Sequence, residues 1–176
     1  MALFVISNSV LLLIALALNL GLALYIYFKN PKDEPSRVFS YFLISSALWT
    51  LSVLLFLNAK TADWAIFFRR MTPVGSGMIA GLILYFSFIF PKQERKLSNT
   101  IKMVCLLPGL IFSLFSLFTP LMISQLLIKD YNYPFLGGPI FGPLYRIYSV
   151  YFIVYFVLGL GNLFYKYLKS VGIEKL

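Results

Sequence analysis

Five apolar runs, none interrupted by a charge, divide the chain: Met1–Phe28, Val38–Ala59, Met71–Pro91, Met103–Ile128 and Ile147–Tyr165. Each is long enough to cross a bilayer, which takes about 20 apolar residues. In lipid the backbone must satisfy its own N–H and C=O groups, so each run predicts a helix. Runs such as Leu11–Leu18 are apolar on every face, unlike the alternating strands of a membrane barrel. The pattern predicts an all-α, polytopic transmembrane helix bundle with five spans. Ala15-Leu16-Ala17 resembles a signal-peptidase site, but no Lys or Arg precedes it and the run continues to Phe28. A signal peptide needs a basic start and a shorter core, so the first run reads as a retained helix.

The breaks between runs carry their own signals. Pro31 and Pro35 stop the first helix and delay the second. Pro91 closes the third helix, and Ser98 or Asn99 offers a cap to the fourth. Pro108 and Pro120, with Gly109, are expected to bend the fourth helix. The segment Lys129–Pro143, rich in Tyr, Pro and Gly, reads as an irregular external loop. Gly77 and Gly81 make a small-xxx-small pair, expected to be an internal packing face, with dimerisation as the alternative.

Composition strengthens the membrane reading. The 176 residues are 60% hydrophobic and 12% charged, too little charge to cover a soluble fold. The expected partner of that surface is the lipid bilayer, and the chain reads as one domain, 1–176, of a multi-pass protein of the cell membrane. A net charge of +9 would suit nucleic acid if gathered on one face. Here Lys and Arg fall between apolar runs, so the charge is topological and no nucleic acid is expected. Lys29, Lys32, Arg37, Lys92, Arg95, Lys96, Lys102, Lys166, Lys169 and Lys175 collect on one side; Lys60, Arg69, Arg70, Lys129 and Arg146 collect on the other. The richer side is expected in the cytoplasm, with the N-terminus outside and the C-terminus inside.

Candidate chemistry is sparse. Histidine is absent, Cys105 is the only cysteine, and the six acids lie in loops or at helix edges. Intramembrane aspartyl, zinc and serine proteases therefore lack their essential groups. Gly75-Ser76-Gly77 lacks the flanking pattern of a nucleophile elbow, and Cys105 reads as a small buried apolar residue. No catalytic residue, cofactor or metal ligand is expected. Asn8 and Asn19 lie within roughly 20° on one face of the first helix. Ser45, Trp49 and Ser52 form a stripe on the second. These groups predict interhelical hydrogen bonds, or alternatively a polar pocket. Arg69 or Arg70, with Arg146 and Tyr148, is a candidate outward-facing anion site, because guanidinium groups suit planar carboxylates and phosphates. The alternative is snorkelling to headgroups.

The order of features resembles the N-terminal seven-helix region of bacterial and archaeal sensor histidine kinases, found sometimes on cyclase-type signalling proteins. The matching features are Asn19 in an Ala/Leu-rich first helix, a short basic loop, and Trp49 in the second helix. Ala62-Asp63-Trp64-Ala65 then leads to Phe68-Arg69-Arg70-Met71, and Leu84-Tyr85-Phe86-Ser87-Phe88-Ile89-Phe90-Pro91 ends the third helix. Pro108 fits too, as do Gly142-Pro143-Leu144-Tyr145-Arg146-Ile147-Tyr148 and the later Tyr151, Tyr155 and Gly159. The resemblance implies a sensory input domain passing a signal to a cytoplasmic kinase or cyclase module, and it supplies no catalytic residue. The family has seven helices and this sequence has five, so a chain cut short at its C-terminal end is expected, or else a shortened variant. A homodimer is a further expectation. A small carrier or permease subunit is the alternative function, and a structural or assembly protein the third.

Overall fold

The computed structural model describes residues 2–91, 97–127 and 138–173. Its elements, in chain order, are α1 (Ala2–Lys29), α2 (Glu34–Leu57), α3 (Ala62–Ile89), α4 (Asn99–Phe118), strands β1 (Ile123–Leu126) and β2 (Pro139–Phe141), and α5 (Leu144–Ile173). All five helices are long and apolar enough to span a membrane. The chain is an all-α membrane bundle with a small hairpin at one end.

The helix starts follow from capping. Asp33 accepts the backbone N–H of Ser36, with Pro35 in the first turn, where its missing N–H costs nothing. Thr61 and Ser98 accept from Trp64 and Ile101 in the same way. The helix ends differ from the apolar runs most at the start of α3 and the end of α4. α3 begins at Ala62, nine residues before Met71, because Arg69 and Arg70 are carried within the helix. α4 stops at Phe118, since Pro120 disfavours helical backbone in the residue before it and Thr119 is extended. Pro120 thus follows the helix, and only Pro108 lies inside it. Residues 123–126, expected to be helical, pair instead with 139–141. Of the expected loop Lys129–Pro143, residues 129–137 lie outside the described residues.

α3 is the centre of the bundle: 67% of its membrane-length stretch is buried, against 6% for α1. It packs against α2, α4 and α5, while α1 leans on α2. Glycine makes this possible. A Cβ on Gly75 would stand 2.6 Å from the Trp49 backbone nitrogen, and one on Gly109 would stand 2.7 Å from the Gly77 oxygen. Gly81 abuts the Cys105 carbonyl just as closely. Gly77 and Gly81 are therefore packed against α4, and Cys105 is buried there. At the end opposite the hairpin, Glu34 accepts from Tyr85 and pairs with Lys102 at 2.6 Å, tying α2, α3 and α4 together.

Adding a methyl or larger group at these crossings forces helices apart. Gly81→Val and Gly109→Ala are expected to destabilise the detergent-solubilised protein by about 1–3 kcal/mol, read as a lowered thermal midpoint. Gly21→Ala, where a Cβ meets nothing within 4 Å, is expected to leave the midpoint unchanged or raised.

Candidate functional site

The first half of α3 is its most polar stretch, and Pro73 within it supplies no N–H to the carbonyl of Arg69 one turn earlier. Around this stretch lies a cavity of about 390 Å³. α2 contributes Trp49; α3 contributes Arg69, Thr72, Pro73 and Ser76; the hairpin contributes Ile123 and Phe141; α5 contributes residues from Tyr145 to Ile153. The hairpin closes one end. Ile123 is buried beneath it, and Phe141 stacks on Tyr145 with ring centroids 3.8 Å apart.

The polar groups of the wall are largely satisfied among themselves. Ser76 Oγ lies 2.6 Å from Tyr148 Oη and 3.0 Å from the Thr72 carbonyl it donates to. Thr72 donates to the Phe68 carbonyl and Ser149 to that of Tyr145. Tyr148 is 6% exposed, and its ring meets Phe112 edge-on. Arg69 stands apart. Its guanidinium lies 5.5 Å from the Phe56 ring centroid, a cation–π contact that occupies one face. Its Nε is buried and meets no hydrogen-bond partner among the described residues.

The neighbouring arginine is used differently. Arg70 donates from Nε to the Ile123 carbonyl at 3.0 Å and from Nη2 to that of Ser124 at 3.3 Å. Ser116 of α4 donates to the Arg70 carbonyl at 2.7 Å. Arg70 thus straps β1 to α3 and fixes the cap of the cavity.

Of the residues singled out in the sequence, Trp49, Arg69 and Tyr148 line this one cavity. Arg70 serves the hairpin, Arg146 is exposed at the start of α5, and Asn19 is half-buried on α1. Thr72, Pro73 and Phe141 were not singled out. The one available signal was a proline and two hydroxyl residues close behind an arginine pair inside an apolar helix.

The two adjacent arginines should respond differently to the same change. Arg70→Met leaves two carbonyls without their donor and is expected to cost about 1–3 kcal/mol, read as a lowered thermal midpoint. Arg69→Met removes a half-buried charge that has no counterion among the described residues, and is expected to stay within about 1 kcal/mol of the parent.

Comparison with known proteins agrees with the bundle. The family described as the N-terminal 7TM region of histidine kinase matches residues 11–175. No curated protein and no solved structure matches the chain. A match over nearly the whole length, on a bundle of membrane-spanning helices, makes the chain a member of the family of N-terminal seven-transmembrane regions of histidine kinases, a multi-pass membrane sensory region.

Proposed function

We propose that this chain is the stimulus-receiving part of a plasma-membrane signalling protein, with its N-terminus outside, its C-terminus in the cytoplasm, and a cytoplasmic kinase module as its effector. The family match over residues 11–175 is the observation that carries the reading. The excess of Lys and Arg at the end opposite the hairpin supports the orientation, because cytoplasmic loops retain positive charge.

The geometry suggests how a signal would travel. The cavity and the opposite end of the bundle share α3 and α5. At the cavity end, Tyr151 of α5 donates to the Gly77 carbonyl at 2.8 Å. At the other, Lys166 Nζ donates to the carbonyls of Ser87, Phe88 and Phe90 at 2.7, 3.1 and 2.8 Å. A lysine there also complements the negative end of the α3 dipole. Asn162 adds a bond to the Ser87 carbonyl at 3.0 Å. Glu34 holds α2, α3 and α4 together at this end, whereas α5 is held to α3 by Asn162 and Lys166. A stimulus that favours one seating of α5 over another shifts the population of two packings, and α5 carries the difference to its cytoplasmic end.

Two measurements test this reading. Alkaline phosphatase fused after Lys129 is expected to be active and green fluorescent protein fused after Lys32 to fluoresce; the reverse pattern overturns the orientation. In a chimera placing this chain before a kinase core, Lys166→Met is expected to change autophosphorylation by about fivefold or more at equal expression, the low end of ordinary allosteric coupling. Output identical to the parent's overturns the relay through α5.

A further inference from the structure

We infer that the cavity between α2, α3 and α5 binds a monoanionic amphiphile, its single charged head on Arg69 and its apolar body between Trp49 and Ile153, entering sideways from the lipid. The inference names the ligand class of the sensory site and rests on the sensory reading.

Charge is the first argument. No acid among the described residues lines the cavity beside Arg69. Glu34 is paired with Lys102 at the opposite end, and Asp33 caps α2 there. Asp63 is exposed and sits six residues before Arg69, about 120° around the helix. A half-buried guanidinium without a counterion among the described residues gains from any anion that reaches it. Arg37 also has a buried Nε without a partner, but it belongs to the opposite end and does not line this cavity.

Donor geometry sets the head group. Phe56 takes a face of the Arg69 guanidinium and its Nε is buried, so an acceptor entering the cavity would meet the terminal nitrogens. The hydroxyls of Thr72, Ser76 and Ser149 already donate within the protein. The one cation among the described residues of the lining, Arg69, matches one negative charge, as on a carboxylate or a phosphodiester, better than a doubly charged phosphate monoester.

The walls and the depth set the body. Trp49, Pro73, Phe152 and Ile153 are apolar or aromatic, and a volume of about 390 Å³ suits a small ligand. Trp49 is 44% and Ile153 60% exposed, so the mouth opens among apolar side chains on the flank of the bundle. Arg69 lies seven residues into α3, roughly 10 Å along the axis and near the boundary between headgroups and hydrocarbon. An amphiphile floating in that leaflet would present its head at this level.

The test uses the whole chain in phosphatidylcholine nanodiscs, in a Trp64→Phe background that leaves Trp49 as the reporter. An ω-bromoundecanoate is titrated and quenching of Trp49 followed, with the corresponding bromoalcohol as the uncharged control. Saturable quenching by the carboxylate, only linear quenching by the alcohol, and a tenfold or greater weakening by Arg69→Gln are expected. Ile153→Phe, which narrows the mouth at an exposed position, is expected to weaken binding without changing the circular dichroism spectrum. Equal quenching by acid and alcohol, or a saturation midpoint unmoved by both variants, overturns the proposal. Added phosphatidylglycerol distinguishes the source: displacement of the probe supports a lipid headgroup as occupant, and no displacement supports a free carboxylate amphiphile. Binding is read here without a kinase, so its loss leaves the relay through α5 standing, and a silent chimera leaves the binding standing.

Discussion

The close approach of α3 to its neighbours is the contact on which the rest of the molecule depends. In lipid there is little hydrophobic force to press one helix against another, so association rests on dispersion and hydrogen bonds at short range. Gly75, Gly77, Gly81 and Gly109 supply that range by bringing backbone against backbone. Where they do so, hydroxyl groups find carbonyls across the gap: Ser116 reaches Arg70, Ser113 approaches Val74, and Tyr151 reaches Gly77. With ordinary side chains at these positions of α3 and α4, neither the hairpin strap at Arg70 nor the cavity wall at Arg69 would have its present shape.

A second consequence concerns the arginine pair. Successive residues on a helix point about 100° apart, and here the two adjacent arginines meet different neighbours. Arg70 is spent on the carbonyls of β1, a structural use that satisfies the charge by hydrogen bonds. Arg69 is turned to Phe56 and the cavity, and keeps a donor unused. A charge near the membrane boundary with no partner among the described residues is costly to keep, which is why such residues tend to mark function.

Much of this was legible from residue order. The five spans, the cap at Ser98, the packing face at Gly77 and Gly81 and the burial of Cys105 all follow from hydropathy and local rules. The charge-free run opens only at Met71, but Arg69 and Arg70, counted from Trp64, read as lying less than two turns inside the helix, and α3 opens at Ala62. The end of α4 was missed: residues 121–128 are apolar enough to continue a helix, but Pro120 breaks it and the chain turns into β1. The cavity was half legible. Trp49, Arg69 and Tyr148 carry recognisable chemistry, but that Arg146 points elsewhere depends on the rotation of α5 against α3, which no local pattern encodes. Thr72 and Pro73 are unremarkable until Tyr148 and Phe141 stand opposite them.

The central claim is that filling the hairpin end of the bundle reseats α5 against α3 at the other end. It is tested most directly by the distance between spin labels attached through Tyr41→Cys on α2 and Leu168→Cys on α5, two exposed positions near that end. Pulsed electron paramagnetic resonance in bilayers, with and without saturating anionic amphiphile, reads the distance distribution. The account predicts two resolvable separations whose proportions change when the amphiphile is added. A single distribution, superimposable in the two samples, would contradict it.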